Sequence, residues 1–476
     1  MRSHALMSTP ERLQELEQLG EPGPWAVEYI LCLTLENVQL KGQLERAQAQ
    51  LKKQDDQLEE LQRQAHRQAA PFRRPESQRR SHPGRPGRKA GHAGFYRPKP
   101  DPIDEQIRVN LECCPHCQGP VCQKRSLTQY IEELPVVRPH VTELTTEEGW
   151  CEHCQCEVCS THPLQVSRAT GAAAVQLGPR ALALACDLKQ AKGLSMRKTV
   201  AVLEDHFGLK LTPGGLALLL QRVGRKVQPD YDRMAGQLRQ SPVVHADETS
   251  WWVSGPRWWL WVFTTQAMTL YVVIQSRAAA VAMGILGEDF AGVLVTDCLA
   301  IYDDLNPLQQ KCYSHHLKAV SEACQVHPQH GEGYLLQIQA LLRTGIWLKA
   351  LQAGAEPERW ERCVSNLGLR AHALLDSPRA QPHEEKVRMR LWKQRDHLFT
   401  FLERADVPAT NNLAERQLRP AVIARKISCG NKTAKGAQAW QVLASIAATC
   451  QQDALSFIQF VAERVPLYRA RAPAAK

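Results

Sequence analysis

The chain has 476 residues, 43% of them hydrophobic and 23% charged. That length calls for about three folded units, and that composition excludes a fibrous or wholly disordered protein. Lys and Arg outnumber Asp and Glu by 59 to 49, a net charge of +10 that is modest overall but sharply localised.

No apolar stretch approaches membrane-spanning length, since the run from Trp258 to Phe263 is far too short. Met1 to Pro10 lacks the apolar core of a signal peptide. Sixteen cysteines in a chain without secretion point to metal or free thiols in a reducing compartment. A cytoplasmic protein not associated with membrane is expected.

The first element, residues 1–66, reads as a coiled-coil helix. Ile30, Asn37, Leu44, Leu51 and Leu58 fall at a positions, and Leu33, Leu40, Ala47, Gln54 and Leu61 at d. A lone Asn at an a position fixes register and favours a parallel pair, so a homodimer or higher oligomer is expected. Residues 67–104 follow as a linker. Between Arg67 and Lys99 ten Lys or Arg stand against one acid, Glu76, with Pro71, Pro75, Pro83, Pro86 and Pro98 interleaved. Such a segment cannot bury apolar surface, and it adds salt-dependent affinity for the DNA backbone.

Residues 105–165 carry two C-x-x-C pairs, Cys114 with Cys117 and Cys151 with Cys154, on either side of an expected strand-rich stretch from Tyr130 to Thr142. Four thiolates presented as two knuckles suit one structural Zn²⁺ per chain in a zinc ribbon. Cys156 and Cys159 offer a second register for the later pair, and Cys113 and Cys122 lie close by. Residues 166–240 read as helical. Met196, Val200, Leu203 and Phe207 share one face; Gly208 breaks that helix; Thr212-Pro213 supplies a cap and a first-turn proline. Leu216, Leu219, Leu220 and Val223 then mark a second helix, giving a helix-turn-helix layout that suits DNA binding in this company.

At Pro242 the period changes. Val243-Val244, Trp251 to Val253, Trp258 to Thr264 and Thr269 to Ile274 read as strands joined by tight connections. A short helix, Ala278 to Leu286, leads to a further strand ending at Asp297. That order suits an α/β sheet with a mixed edge over residues 241–450, interrupted by a helical insertion at 330–404. Residues 451–476 form a C-terminal helix and tail.

Asp247 and Asp297 each follow an apolar strand, and Glu415 lies on a later helix. A carboxylate at the inner end of a buried strand is costly unless a cation or donors meet it. Two of them about 4 Å apart repel by about 4 kcal/mol at an effective dielectric near 20. Divalent metal removes that repulsion, so the pairing points to Mg²⁺ or Mn²⁺ with oxygen ligands. Glu415 has a competing role, because Asn412-x-x-Glu415 has the form of a capping box; Glu248 and Asp304 are the alternatives for a third acid. Cys312-Tyr313-Ser314-His315-His316 lacks the spacing for a complete tetrahedral site and reads as a strand end whose histidine lines the site.

With these pieces in order the chain resembles the transposases of the insertion-sequence-66 family. The likeness runs through the zipper-like start, Gly84-Arg85-Pro86-Gly87-Arg88-Lys89-Ala90-Gly91-His92-Ala93-Gly94, the two knuckles and the helical block. It continues in His245-Ala246-Asp247-Glu248-Thr249, Asp297 with Tyr302, and Cys312 with His315. The most specific stretch is Thr410-Asn411-Asn412-Leu413-Ala414-Glu415-Arg416 with Leu418-Arg419-Pro420. Departures from the family's pattern are Cys298, where relatives carry Gly, Leu317-Lys318 in place of a more basic pair, and the extra cysteines at the second knuckle. The resemblance implies a ribonuclease H-like core with a DDE triad of Asp247, Asp297 and Glu415, performing metal-dependent strand cleavage and transfer. It also implies DNA partners, namely terminal inverted repeats and target, with accessory proteins of the same element. A catalytically inert, domesticated DNA-binding regulator and a nuclease or resolvase without strand transfer are the rival functions.

Overall fold

The computed structural model describes residues 33, 36–52 and 54, then 91–467 apart from 95, 124, 256–257, 304, 306–307 and 327–332. Residues 55–140 form one compact unit and the rest of the chain another.

Residues 36–52 are helical. Val38 is buried against Leu336 and Ala340, while the seam residues Leu40, Leu44 and Leu51 stand 64%, 59% and 62% exposed. Ile30, Leu58 and Leu61 of the expected coiled coil, and most of the basic linker, lie outside the described residues. The strands expected from Tyr130 to Thr142 are not formed, and no residue from 125 to 146 is in a strand among those described. Pro135 and Pro139 lack the N–H that a ladder requires. Ile131, Leu134, Val136 and Val141 are all exposed, so they have no common face to bury. A hairpin follows, β1 (Glu148–Cys151) against antiparallel β2 (Cys156–Cys159), with Cys151 opposite Cys156.

Three helices come next: α1 (Pro179–Gln190), α2 (Met196–Phe207) and α3 (Pro213–Arg239). Gly208 closes α2 with φ of 64°, the left-handed region that glycine enters freely. The Thr212 hydroxyl then accepts from the Gly215 N–H at 3.0 Å to start α3. Where sequence periodicity marks a short second helix, α3 runs for 27 residues. The reason is its partner: Leu216 through Leu238 continue one apolar stripe into the same hydrophobic cluster as the sheet. The helical block thus shares the sheet's core.

The sheet has five strands, β3 (Val243–Trp251), β4 (Trp258–Thr264), β5 (Thr269–Ile274), β6 (Val293–Thr296) and β7 (Gln309–Lys311), in the order β5-β4-β3-β6-β7. The first three are antiparallel neighbours; β6 runs parallel to β3, and β7 parallel to β6. Helix α4 (Ala279–Leu286) makes the crossover from β5 to β6. Alternation along the strands gives the sheet two buried faces. Val244, Ala246, Trp261 and Phe263 meet α3 and α4 on one.

On the other face, Val293 and Val295 lie beneath a helical excursion: α5 (Tyr313–Val326), α6 (Tyr334–Leu351), α7 (Pro357–Leu375), α8 (Pro382–Lys393) and α9 (Thr400–Glu403). Trp251, Leu260, Val262 and Tyr271 meet the returning helices α10 (Asn412–Ser428) and α11 (Ala434–Gln452). Trp440 of α11 packs on Trp251 with ring centroids 4.5 Å apart. Helix α12 (Phe457–Arg464) ends the described chain. The result is a mixed sheet with helices on both faces. No helix among the described residues is long and apolar enough to cross a membrane.

Candidate active site

Val243, Val244 and His245 pair in parallel register with Val293, Leu294 and Val295. Two residues further on, Asp247 and Asp297 therefore lie side by side; Asp297 directly follows β6, whereas Asp247, expected at a strand end, sits in the middle of β3, opposite Val262 of β4. Their backbones hold them locally: the Glu248 N–H donates to Asp247 Oδ1 at 2.9 Å, and the Leu299 N–H to Asp297 Oδ1 at 3.0 Å. Glu415 stands in the first turn of α10, whose Ala414 and Leu418 pack on Leu260 and Val262. The carboxyl of Asp247 is pushed up to about 7, first by burial and then by the negative charges of Asp297, Glu248 and Glu415. Of the acids named from sequence, Asp297 and Glu415 thus both lie close enough to Asp247 to act on its charge.

Asn411 sets that convergence. Its side-chain amide donates to the Ala246 carbonyl at 2.7 Å, and its Oδ1 lies 3.0 Å from His245 Nδ1. Its backbone N–H donates to Cys312 Sγ at 3.2 Å. Burial pushes His245 down to about 4, so the imidazole facing Asn411 is neutral. Being committed to β3, the Asn411 side chain does not cap α10, which begins without any side-chain cap. The capping box expected at Asn412-x-x-Glu415 is not formed, because Asn411 is the cap residue and Asn412 already lies within the helix. Arg425, three turns along, ties the far part of α10 to Thr249 Oγ1 at 3.2 Å and Ser250 Oγ at 2.9 Å.

Glu248 points to the other face of β3. It accepts from Tyr302 Oη at 2.6 Å and from Arg277 at 2.9 Å. Burial raises its carboxyl while these two partners oppose the rise; Asp304, the other alternative acid, lies outside the described residues.

Cys312 and His315 sit beside Glu415, with one ligand atom of each within 4.8 Å of the others. Burial raises the Cys312 thiol, but the His315 imidazole and the Asn411 N–H outweigh it, leaving the thiol below its usual range. His315 is raised by Cys312 and by the charges of Asp297 and Glu415. The histidine expected at the site is therefore there. Its grouping with Glu415 escapes a reading by local spacing, because the third member comes from a helix beyond the excursion. Cys298 lies 3.5 Å from His316 Nε2.

Residues 174–439, more than half of the chain, match the Transposase IS66 family. The chain belongs to that family. The IS66-family region contains Asp247, Asp297, Glu415, Cys312 and His315, and excludes both cysteine knuckles. An 83-residue stretch is 36% identical to "Uncharacterized protein y4jO" of Sinorhizobium fredii (strain NBRC 101917 / NGR234), covering 17% of this chain. The chain thus spans 26% of the length of that curated relative.

Outside the IS66-family region, the knuckle cysteines are placed by local turns. In residues 55–140, Cys114 donates its N–H to Gly119 and accepts from Gln118 at 2.8 Å, forming a tight loop around Cys117. Backbone N–H groups of His116 and Cys117 lower the Cys114 thiol. In the other unit the Cys154 N–H donates to Cys151 Sγ at 3.4 Å, and the Cys151 thiol is lowered chiefly by that contact. Cys156 and Cys159 are instead the two ends of strand β2. Three residues apart in a strand, they point to opposite faces and cannot chelate as a pair.

Proposed function

We propose that this protein is a transposase whose Asp247, Asp297 and Glu415 hold two Mg²⁺ or Mn²⁺ ions and drive DNA strand cleavage and strand transfer. The observation that carries the reading is the half-buried Asp247 set among like charges, Asp297, Glu248 and Glu415. Carboxylate oxygens of this kind fit hard divalent cations. When bound, such ions activate a water or a 3′-hydroxyl and stabilise the leaving oxygen of the phosphodiester. The chain's own work is positional. The parallel pairing of β3 and β6 aligns the two aspartates, and Asn411 holds the start of α10, with Glu415, against β3.

A ribonuclease H-like core is supported by the sheet itself: three antiparallel strands, a helical crossover, then two parallel strands added beside the first. One structural Zn²⁺ per chain on Cys114, Cys117, Cys151 and Cys154, as in a zinc ribbon, is part of the same reading; what supports it is local to each pair, the backbone N–H groups that lower the Cys114 and Cys151 thiols. Self-association through residues 1–66 is supported by the exposed seam of Leu40, Leu44 and Leu51. The basic linker and the α2–α3 pair are the natural candidates for contact with terminal inverted repeats and target DNA.

The test is cleavage and joining of the element's own ends in Mg²⁺ or Mn²⁺. Asp247→Asn, Asp297→Asn and Glu415→Gln should each abolish both steps and leave DNA binding in place. An unmutated protein that binds the ends but never cuts them would support an inert regulator instead. Cutting without joining would support a nuclease or resolvase.

A further inference from the structure

Two residues that the proposed triad leaves unused bring a sulfur and a nitrogen to Glu415. Cys312, His315 and Glu415 form a group whose ligand atoms all lie within 4.8 Å of one another, the one such group of His, Cys, Asp and Glu among the described residues. Cys312 closes β7 and precedes α5, and His315 lies in the first turn of that helix. The Asn411 N–H, bonded to Cys312 Sγ at 3.2 Å, draws the start of α10 against the start of α5. Each of two helix starts therefore delivers ligands into one space, and protein hydrogen bonds prepare the arrangement. A second observation points to a missing partner: His315 Nδ1 is buried and has no hydrogen-bond partner, which is unusual for a buried polar atom.

The donor set differs in kind from that of the two aspartates. Thiolate and imidazole are soft or borderline ligands that favour zinc-like ions, whereas an all-carboxylate set favours magnesium or manganese. Zinc bonds of about 2.0–2.3 Å require ligand atoms about 3.5 Å apart, so the cluster needs to contract by about an ångström. Three protein ligands leave a fourth tetrahedral position open.

We propose that Cys312, His315 and Glu415 bind a Zn²⁺ ion at a site distinct from the Asp247–Asp297 pair. Glu415 is then the hinge between a soft site and a hard one. A zinc ion here would withdraw the third carboxylate from the proposed catalytic metals, a consequence that rests on the triad reading although the binding itself does not.

The experiment is a zinc titration of the full-length chain against a chromophoric chelator, comparing the unmutated protein with four variants. His315→Ala, Cys312→Ser and Glu415→Gln should each take up one zinc fewer per chain, while the cysteine knuckles keep theirs. Cys312 is fully buried, so the less buried His315→Ala, checked by unchanged circular dichroism, keeps the test decisive if Cys312→Ser misfolds. Asp247→Asn should retain the full zinc count. Equal uptake by all the variants would overturn the proposal. So would loss of this zinc from Asp247→Asn, because it would mean a single merged metal site. An Asp247→Asn protein that still cuts DNA yet keeps the zinc would sink the triad and leave this site standing.

Discussion

Asp247 and Glu248 are neighbours on one strand, yet the two faces of the sheet treat them in opposite ways. On the α3 face, burial raises Glu248, but Arg277 and the Tyr302 hydroxyl are bonded to its carboxylate and oppose that rise. On the α10 face, Asp247 is half-buried beside Asp297 and Glu415 and is pushed up to about 7. Both acids are costly to bury. One has that cost offset by permanent partners, and the other is left waiting for a positive charge. The lesson is that a buried acid becomes a candidate ligand through what its neighbours fail to supply.

The contrast can be broken most directly by activity. Asp247→Asn should lower strand cleavage by about 10³-fold or more, as removal of one member of a cooperating set does. Glu248→Gln should retain cleavage wherever the protein stays folded; equal losses in gel-based cleavage assays would erase the distinction.

Stability should separate the pair in sign. In metal-free protein near pH 8, Asp247→Asn should raise the midpoint of thermal unfolding by relieving unmatched charge. Glu248→Gln should lower stability by about 1–3 kcal/mol, the usual result of impairing a buried hydrogen-bonded group. Shifts of the same sign in calorimetry would contradict the comparison.

The pH dependence sharpens it further. The raised Asp247 keeps its proton in the folded state between about pH 4, where the unfolded chain loses it, and pH 7. Folded protein therefore binds more protons in that window, and metal-free stability should fall as pH rises through it. The same proton competes with metal. Titrations should show Mn²⁺ affinity falling by about tenfold per pH unit below pH 7 and levelling above it. A flat profile from pH 5 to 8 would place Asp247 outside the metal site.

The cysteines carry a smaller version of the same contrast. Cys151 has an N–H turned onto its sulfur, whereas Cys156 begins a strand. Cys151→Ser should remove zinc from the ribbon and Cys156→Ser should not, measured as zinc per chain. The reverse pattern would move the site.

Much of this site is legible in the sequence because strands announce themselves. Apolar runs before Asp247 and Asp297 mark both as strand acids, although β3 runs on past Asp247 to Trp251, and the parallel β3–β6 pairing makes them neighbours. Glu415 is harder to read, since its local pattern suits a cap equally well. What decides against the cap is where α10 starts: Asn411, not Asn412, is its cap residue, and the Asn411 side chain is held by Ala246 and His245 across more than 160 residues of chain. A separation of 100 residues or more likewise hides the link of Cys312 and His315 to Glu415. Helix α3 outgrew its expected length for a related reason: its stripe continues because a sheet lies under it, which periodicity in a short window cannot reveal. The strands expected before Thr142 failed in the opposite direction, where β-branched residues without a covering layer gave no ladder.

The excursion between α5 and α10 has a narrow neck. The Tyr313 N–H donates to the Ala409 carbonyl at 3.0 Å, so the chain leaves the sheet and returns to it at almost one point. Closing a long loop costs only slightly more entropy than closing a shorter one, and here the closure is made by the sheet side, not by the helices beyond it. The outer helices are therefore free to lengthen, shorten or be exchanged, provided something still covers Val293 and Val295. Glu415 would keep its address throughout, as a door keeps its position on its hinge whatever is hung from the handle.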